Sequence, residues 1–216
     1  MENLNKYIEH TLLKQDAAEA DLIKLFDEAK EYKFLGVCVN PCYVKLAKEN
    51  LQESGVKIVT VVGFPLGANT TETKIFETIN AIRDGADEID MVINVTKLKD
   101  RQNEYIVDEI RQIKAACQGR NLKVIIETDL LDKDEIKLAS ELCIKGGADF
   151  VKTSTGFVKG GVGAKAQDVK LMYETVKNAG LQVKASGGIR DKEAALAMIE
   201  AGATRLGTSS GVKIVG

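Results

Sequence analysis

The chain has 216 residues, 44% of them hydrophobic and 29% charged, with only 2 prolines, which excludes a disordered or fibrous protein and leaves room for one large core. Thirty basic against 32 acidic residues give a net charge of −2, so no overall positive field exists to hold nucleic acid or an anionic membrane. The start, MENLNKYIEH, has neither the basic segment nor the apolar run of a secretory signal, and no stretch approaches the ~18 apolar residues of a membrane span; a cytoplasmic location is expected.

In chain order, a first short strand is expected around Glu9–Leu12. Asp16 with Glu19 resembles a capping pair, and Leu22, Ile23, Leu25, Phe26 and Ala29 mark one face of the helix it would open. Apolar runs then begin near 36, 57, 88, 123, 149, 182 and 204. Most follow a helical pattern closed by glycine, as in GADEIDMVIN (85–94), GADFVKTST (147–155) and GATRLGTSS (202–210). Glycine takes the left-handed conformation that ends a helix cheaply, and a strand then starts within two or three residues. Asp132 with Glu135, and Asp191 ahead of Ala194–Met198, open two later helices.

The strands read as continuous apolar runs such as KIVTVV and KVIIET, as expected when both faces are covered. Eight strand–helix units of about 30 residues, without a linker, predict a (β/α)8 TIM barrel in a single domain spanning 1–216. An open doubly wound sheet is the alternative, and it usually manages with five or six strands.

In such a barrel the active site lies at the C-terminal strand ends. Polar groups and glycines gather there in this sequence, while the strand starts are expected to stay apolar. Alternation puts Lys152 on the face of Phe150 and Ser154, and Lys184 on that of Gln182 and Ser186; both lysines are expected to point inward from consecutive strands. Free lysine is neutral in only about one molecule in 2,500 at pH 7. A second ammonium about 4 Å away costs roughly 4 kcal/mol at an effective dielectric of about 20, which lowers the pKa by about three units. Burial acts in the same direction, and a neutral amine facing a pocket is the nucleophile for imine formation. The alternative is that each lysine pairs with a carboxylate and fills space. Asp90, on the inward face with Glu88 and Val92, is either the counter-ion of a lysine or a carrier of protons, and these roles are compatible. Glu127 is a further acid at the same rim.

SGGIR (186–190) and GTSSG (207–211) run from strands seven and eight through glycine toward helix starts, where barrels often bind phosphate. GFVKGGVGAK is expected to be a mobile loop rather than a dinucleotide fingerprint, because it does not follow its strand directly. Four scattered cysteines read as free thiols. Cys38 and Cys42 lack the further ligands of a zinc site, and His10 is the only imidazole, so neither a metal nor a catalytic triad is expected.

VVGFPLG, EIDMVINV, VIIET, DFVKTSTGF, VKASGGIR and RLGTSSG, in this order, resemble the deoxyribose-phosphate aldolase family over essentially the whole chain. The resemblance implies a (β/α)8 barrel and a class I aldolase, without metal or organic cofactor. It implies reversible cleavage of 2-deoxy-D-ribose 5-phosphate to D-glyceraldehyde 3-phosphate and acetaldehyde in deoxyribonucleotide catabolism. By motif, Lys152 resembles the Schiff-base former, Lys184 its pKa-lowering neighbour and a member of the proton relay, and Asp90 the proton donor and acceptor. Gly156, Gly187, Gly188, Ser209 and Ser210 resemble phosphate-contacting positions. The partner implied is a small phosphorylated sugar, with homo-oligomerisation to a dimer or tetramer left open. The chain departs from the family in reading Glu9-His10-Thr11 where Asp-His-Thr is usual, and GGVGAKAQD in the loop after strand six. Some members continue past strand eight with a tail that reaches the site, whereas this sequence stops at Gly216.

Overall fold

A computed structural model describes residues 3–216. Eight parallel strands follow one another around a closed barrel: β1 (Ile8–Leu12), β2 (Gly36–Val39), β3 (Lys57–Val62), β4 (Glu88–Val92), β5 (Asn121–Ile125), β6 (Phe150–Lys152), β7 (Gln182–Ser186) and β8 (Arg205–Thr208). Closure is made by β1 against β8, in the register Ile8↔Leu206, Glu9↔Gly207 and His10↔Thr208. That pairing removes the two edges an open sheet would leave, so the doubly wound alternative falls.

The outer ring consists of α1 (Glu19–Glu31), α2 (Val44–Asn50), α3 (Thr71–Asp84), α4 (Val95–Lys99), α5 (Asn103–Ala116), α6 (Lys133–Gly146), α7 (Ala166–Val176), α8 (Lys192–Glu200) and α9 (Gly211–Val215). No helix among the described residues is long and apolar enough to cross a membrane. Gly85 and Gly147 close α3 and α6 at φ 114° and 79°, and β4 and β6 begin three residues later. At the start of α6, Asp132 accepts from the Glu135 N–H at 2.8 Å while Glu135 accepts from the Asp132 N–H at 2.9 Å. Asp191 accepts from the Ala194 N–H at 2.9 Å at the start of α8. Each such cap is worth about 1 kcal/mol. The first helix differs from expectation. It begins at Glu19 after Ala18, and Asp21, not Asp16, accepts the Ala18 N–H at 2.9 Å. The turn through residues 15 and 16 places Asp16 outside the helix start.

Outward strand residues such as Ile89, Met91, Val124, Val151, Val183 and Leu206 share one buried cluster with Phe26, Ile110, Leu142 and Met172 of the helices. The barrel interior is divided. On the β1–β3 side, Leu13, Cys38, Val59 and Val61 form a small apolar cluster against Phe64. Much of the remaining interior is ionic, with Glu9, Glu88, Asp90, Lys123, Lys152 and Lys184 all buried. The expectation of apolar strand starts is therefore wrong. Glu88, Lys123 and Arg205 stand near the starts of β4, β5 and β8, where their ion pairs with one another make burial tolerable.

Candidate active site

β6 and β7 pair with Lys152 directly opposite Lys184, so strand alternation and register bring both amines to one height inside the barrel. Both reach the same atom: Lys152 Nζ and Lys184 Nζ each lie 2.6 Å from Asp90 Oδ2. Lys123 Nζ, from β5, takes the other carboxylate oxygen, Oδ1, at 3.0 Å. Lys184 also donates to Glu9 Oε2 from β1. Gly207 gives Lys184 its space, because a Cβ there would stand 3.1 Å from Lys184 Cε and 2.9 Å from Ser186 Cβ.

The electrostatics separate the two lysines. Burial is the largest influence on Lys152; together with the Lys184 charge it outweighs the pull of Asp90, and the amine sits below the ordinary lysine value. Burial also pulls on Lys184, but Asp90 and Glu9 more than offset it and hold that amine above the ordinary value. Asp90 resists burial because Lys123, Lys152 and Lys184 surround it, and its carboxyl lies well below the usual range. The repulsion expected between the two lysines thus acts on Lys152 in the expected direction, as a contribution ranking behind burial.

Lys152 forms the floor of a cleft of about 250 Å³ at the C-terminal strand ends. Lys184 does not line it. A larger hollow of about 460 Å³ lies beside it between β1 and α1, but neither lysine reaches that space, so the smaller cleft is the candidate site. Gly156, Gly187, Gly188 and Ser209 line the cleft. Ser210 does not; it precedes the short α9, with its N–H on Thr208 Oγ1 at 2.9 Å. Gly187 and Gly188 stand at φ 83° and 74°. Without side chains they let the main chain approach a bound group closely.

The loop expected to be mobile is tied down at its far end. Asp129 accepts from the N–H groups of Val162 and Gly163 at 3.2 and 2.8 Å, and the Ala164 N–H donates to the Gly187 carbonyl at 3.0 Å. A Cβ on Gly163 would stand 2.4 Å from the Gly187 carbonyl carbon, so the loop closes over the glycine turn only because both residues are glycine. Glu127 is buried at φ 60°, accepts from the Thr155 N–H at 3.2 Å and also from its hydroxyl, and so shapes the turn after Lys152. Its carboxyl is pushed up, chiefly by burial.

His10 points away from the interior, with Nε2 2.8 Å from Glu28 Oε2 of α1. Cys38 is buried inside the barrel and its thiol is pushed up to about 11 by burial, whereas Cys42 is exposed. Among the described residues no three His, Cys, Asp or Glu side chains gather as metal ligands.

Sequence reasoning missed four participants. Lys123 shares the inward parity of Ile125 and Glu127, a signal available in KVIIET that went unread. Arg205 had no such signal, because its role comes from the register of β8. Two cations at the cleft mouth, Lys14 and Arg190, were also missed.

A family model described as DeoC/LacD family aldolase matches residues 6–215. A deoxyribose-phosphate aldolase of Finegoldia magna is 58% identical over 212 residues, covering 98% of each chain. The structure of an aldolase named QR15 superposes with a TM-score of 0.94 at 43% identity, covering 99% of this chain and 95% of the other. A tetrameric deoxyribose phosphate aldolase from Aeropyrum pernix superposes with a TM-score of 0.89 at 36% identity, covering 97% and 88%.

Proposed function

The chain belongs to the DeoC/LacD family of aldolases, and from that premise we propose that it reversibly cleaves 2-deoxy-D-ribose 5-phosphate to D-glyceraldehyde 3-phosphate and acetaldehyde through an imine on Lys152. One observation carries the choice of lysine: of the two amines on Asp90 Oδ2, only Lys152 opens into the cleft, and only Lys152 is shifted toward its neutral form.

The Lys152 amine adds to the substrate's aldehyde carbon, and loss of water gives the protonated imine. Removal of the proton from the C3 hydroxyl breaks the C2–C3 bond. The bonding pair moves into an enamine on Lys152, and the three-carbon aldehyde leaves. Protonation of the enamine carbon and hydrolysis of the imine then release acetaldehyde and restore the amine. Asp90, 2.6 Å from both amines, is placed to move these protons, with water completing the reach to carbon and oxygen. The Lys184 ammonium stays charged beside it and disfavours a second positive charge on Lys152. No metal or organic cofactor is needed for these steps.

The phosphate is assigned to the mouth formed by Gly156, Gly187, Gly188 and Ser209, with Lys14 and Arg190 supplying positive charge. Ser210 contributes by shaping the β8 turn. A cytoplasmic enzyme acting on a small phosphosugar, alone or as a dimer or tetramer, fits this account. A coupled assay for glyceraldehyde 3-phosphate released from 2-deoxyribose 5-phosphate tests it. Turnover that disappears in Lys152→Met is expected, and wild-type protein that releases no triose phosphate overturns the substrate assignment.

A further inference from the structure

The ionic half of the barrel interior holds more bases than acids. Three carboxylates, Glu9, Glu88 and Asp90, face four bases, Lys123, Lys152, Lys184 and Arg205. Their contacts are unequal. Lys123 reaches all three carboxylates, at 3.4 Å from Glu9, 2.6 Å from Glu88 and 3.0 Å from Asp90. Lys184 touches Glu9 and Asp90. Arg205 lies 3.4 Å from Glu9 and 3.5 Å from Glu88. Lys152 has a single carboxylate oxygen, and it shares that oxygen with Lys184.

A buried cation without a counter-charge is costly, and the group neutralises instead. With Lys123, Lys184 and Arg205 charged, the three carboxylates are matched and the interior is neutral only if Lys152 is uncharged. We infer that Glu9 and Lys123, which do not line the substrate cleft, are positioning residues that fix the charge balance of the barrel and thereby select Lys152 as the neutral amine. This deepens the imine reading and rests on it.

The other groups near the pair do not alter the count. Lys57 lies 2.6 Å from Glu88, but its side chain is 41% exposed and water solvates its charge. Cys38 faces the lysines from β2 as a neutral thiol. Glu127 is buried at the rim and feels the Lys152 charge, but it makes an ion pair with none of the four bases: its oxygens accept from the Thr155 N–H and hydroxyl, and burial pushes its carboxyl toward the neutral form.

The test reads how the rate of imine formation depends on pH, by borohydride trapping of acetaldehyde on Lys152. That readout needs no phosphosugar, so it does not depend on the substrate assignment. Lys123→Met removes one positive charge and leaves three carboxylates for Lys184, Arg205 and Lys152. The acid limb of the trapping profile is then expected to rise by about two pH units, from a charge roughly 6 Å away. Glu9→Gln removes one negative charge and is expected to lower the same limb. The double variant restores the balance, and its limb is expected to return close to that of wild type. Lys123→Arg keeps the charge and is expected to leave the limb in place.

Loss of a purely structural contact gives no such opposition or rescue. A limb unmoved in Lys123→Met, or a double variant no closer to wild type than the single ones, overturns the inference while leaving the imine intact. If Lys123→Met does not fold, Glu9→Gln decides alone: a lowered limb supports the inference and an unmoved one overturns it. Wild-type protein that traps no acetaldehyde on Lys152 overturns both readings.

Discussion

Replacing Lys184 with methionine removes a charge while keeping most of the side-chain volume beside Gly207. The two amines each stand 2.6 Å from one oxygen, so their separation is at most twice that distance, about 5 Å. At an effective dielectric of about 20, the repulsion is about 3 kcal/mol, or roughly two pKa units. Lys184 pushes Lys152 toward its neutral form, so its loss lets Lys152 keep a proton to higher pH. The acid limb of kcat/KM is therefore expected to move up by about two pH units, leaving on the order of 1% of the neutral amine at a pH where wild type is just fully active. Activity should recover as the pH is raised. An acid limb that stays in place would refute the electrostatic reasoning and leave burial as the sole cause of the lowered amine. A rate that falls equally at every pH would instead assign Lys184 to proton transfer.

Gly207→Ala places a methyl group 2.9 Å from Ser186 Cβ and 3.1 Å from Lys184 Cε; the crowding is expected to cost about 1–3 kcal/mol and to lower kcat by more than tenfold, read from steady-state rates with unfolding curves as control. Lys74, buried between α3 and β4, donates to Glu109 and to the Val92 carbonyl at 2.8 Å each, so Lys74→Met strands a buried carboxylate. That variant is expected to lose about 3–5 kcal/mol in urea unfolding, most of it regained in Lys74→Met/Glu109→Leu. For Glu88, burial opposes ionisation, but Lys123, Lys57 and Arg205 prevail and bring the carboxyl from 4.5 to about 2. A depressed carboxyl contributes stability above its unfolded value, here about 3 kcal/mol, which is lost as pH falls from about 4.5 through about 2. Glu88→Gln should flatten that part of the stability profile, and an unchanged slope would remove Glu88 as its cause.

Most strands were legible because they obey local rules: a helix closed at or near a glycine, as α3 and α6 are by Gly85 and Gly147, and then a largely apolar run. Observed β3, β4 and β7 begin at Lys57, Glu88 and Gln182, the positions near which apolar runs were expected. The meeting of Lys152, Lys184 and Asp90 was legible as well, since parity decides facing and neighbouring strands decide proximity. The Asp16 cap failed because Asp21 satisfies the same helix start from inside the first turn. The ionic half of the interior stayed hidden for a different reason. Glu9, Lys123 and Arg205 come from β1, β5 and β8, and only barrel closure and its stagger bring them within ion-pair distance. Burial outranked repulsion at Lys152 for the same cause: desolvation depends on how completely the mouth is covered, which no single strand encodes.

In the proposed reaction the Lys152 nitrogen bonds to the substrate carbonyl carbon. Borohydride reduction in the presence of acetaldehyde, followed by peptide mass spectrometry, tests it most directly. An N-ethyl group on Lys152, with Lys184 and Lys123 unmodified, is the expected product; the same label on Lys184 or Lys123, or on no lysine of the barrel interior, would rule out Lys152 as the imine former.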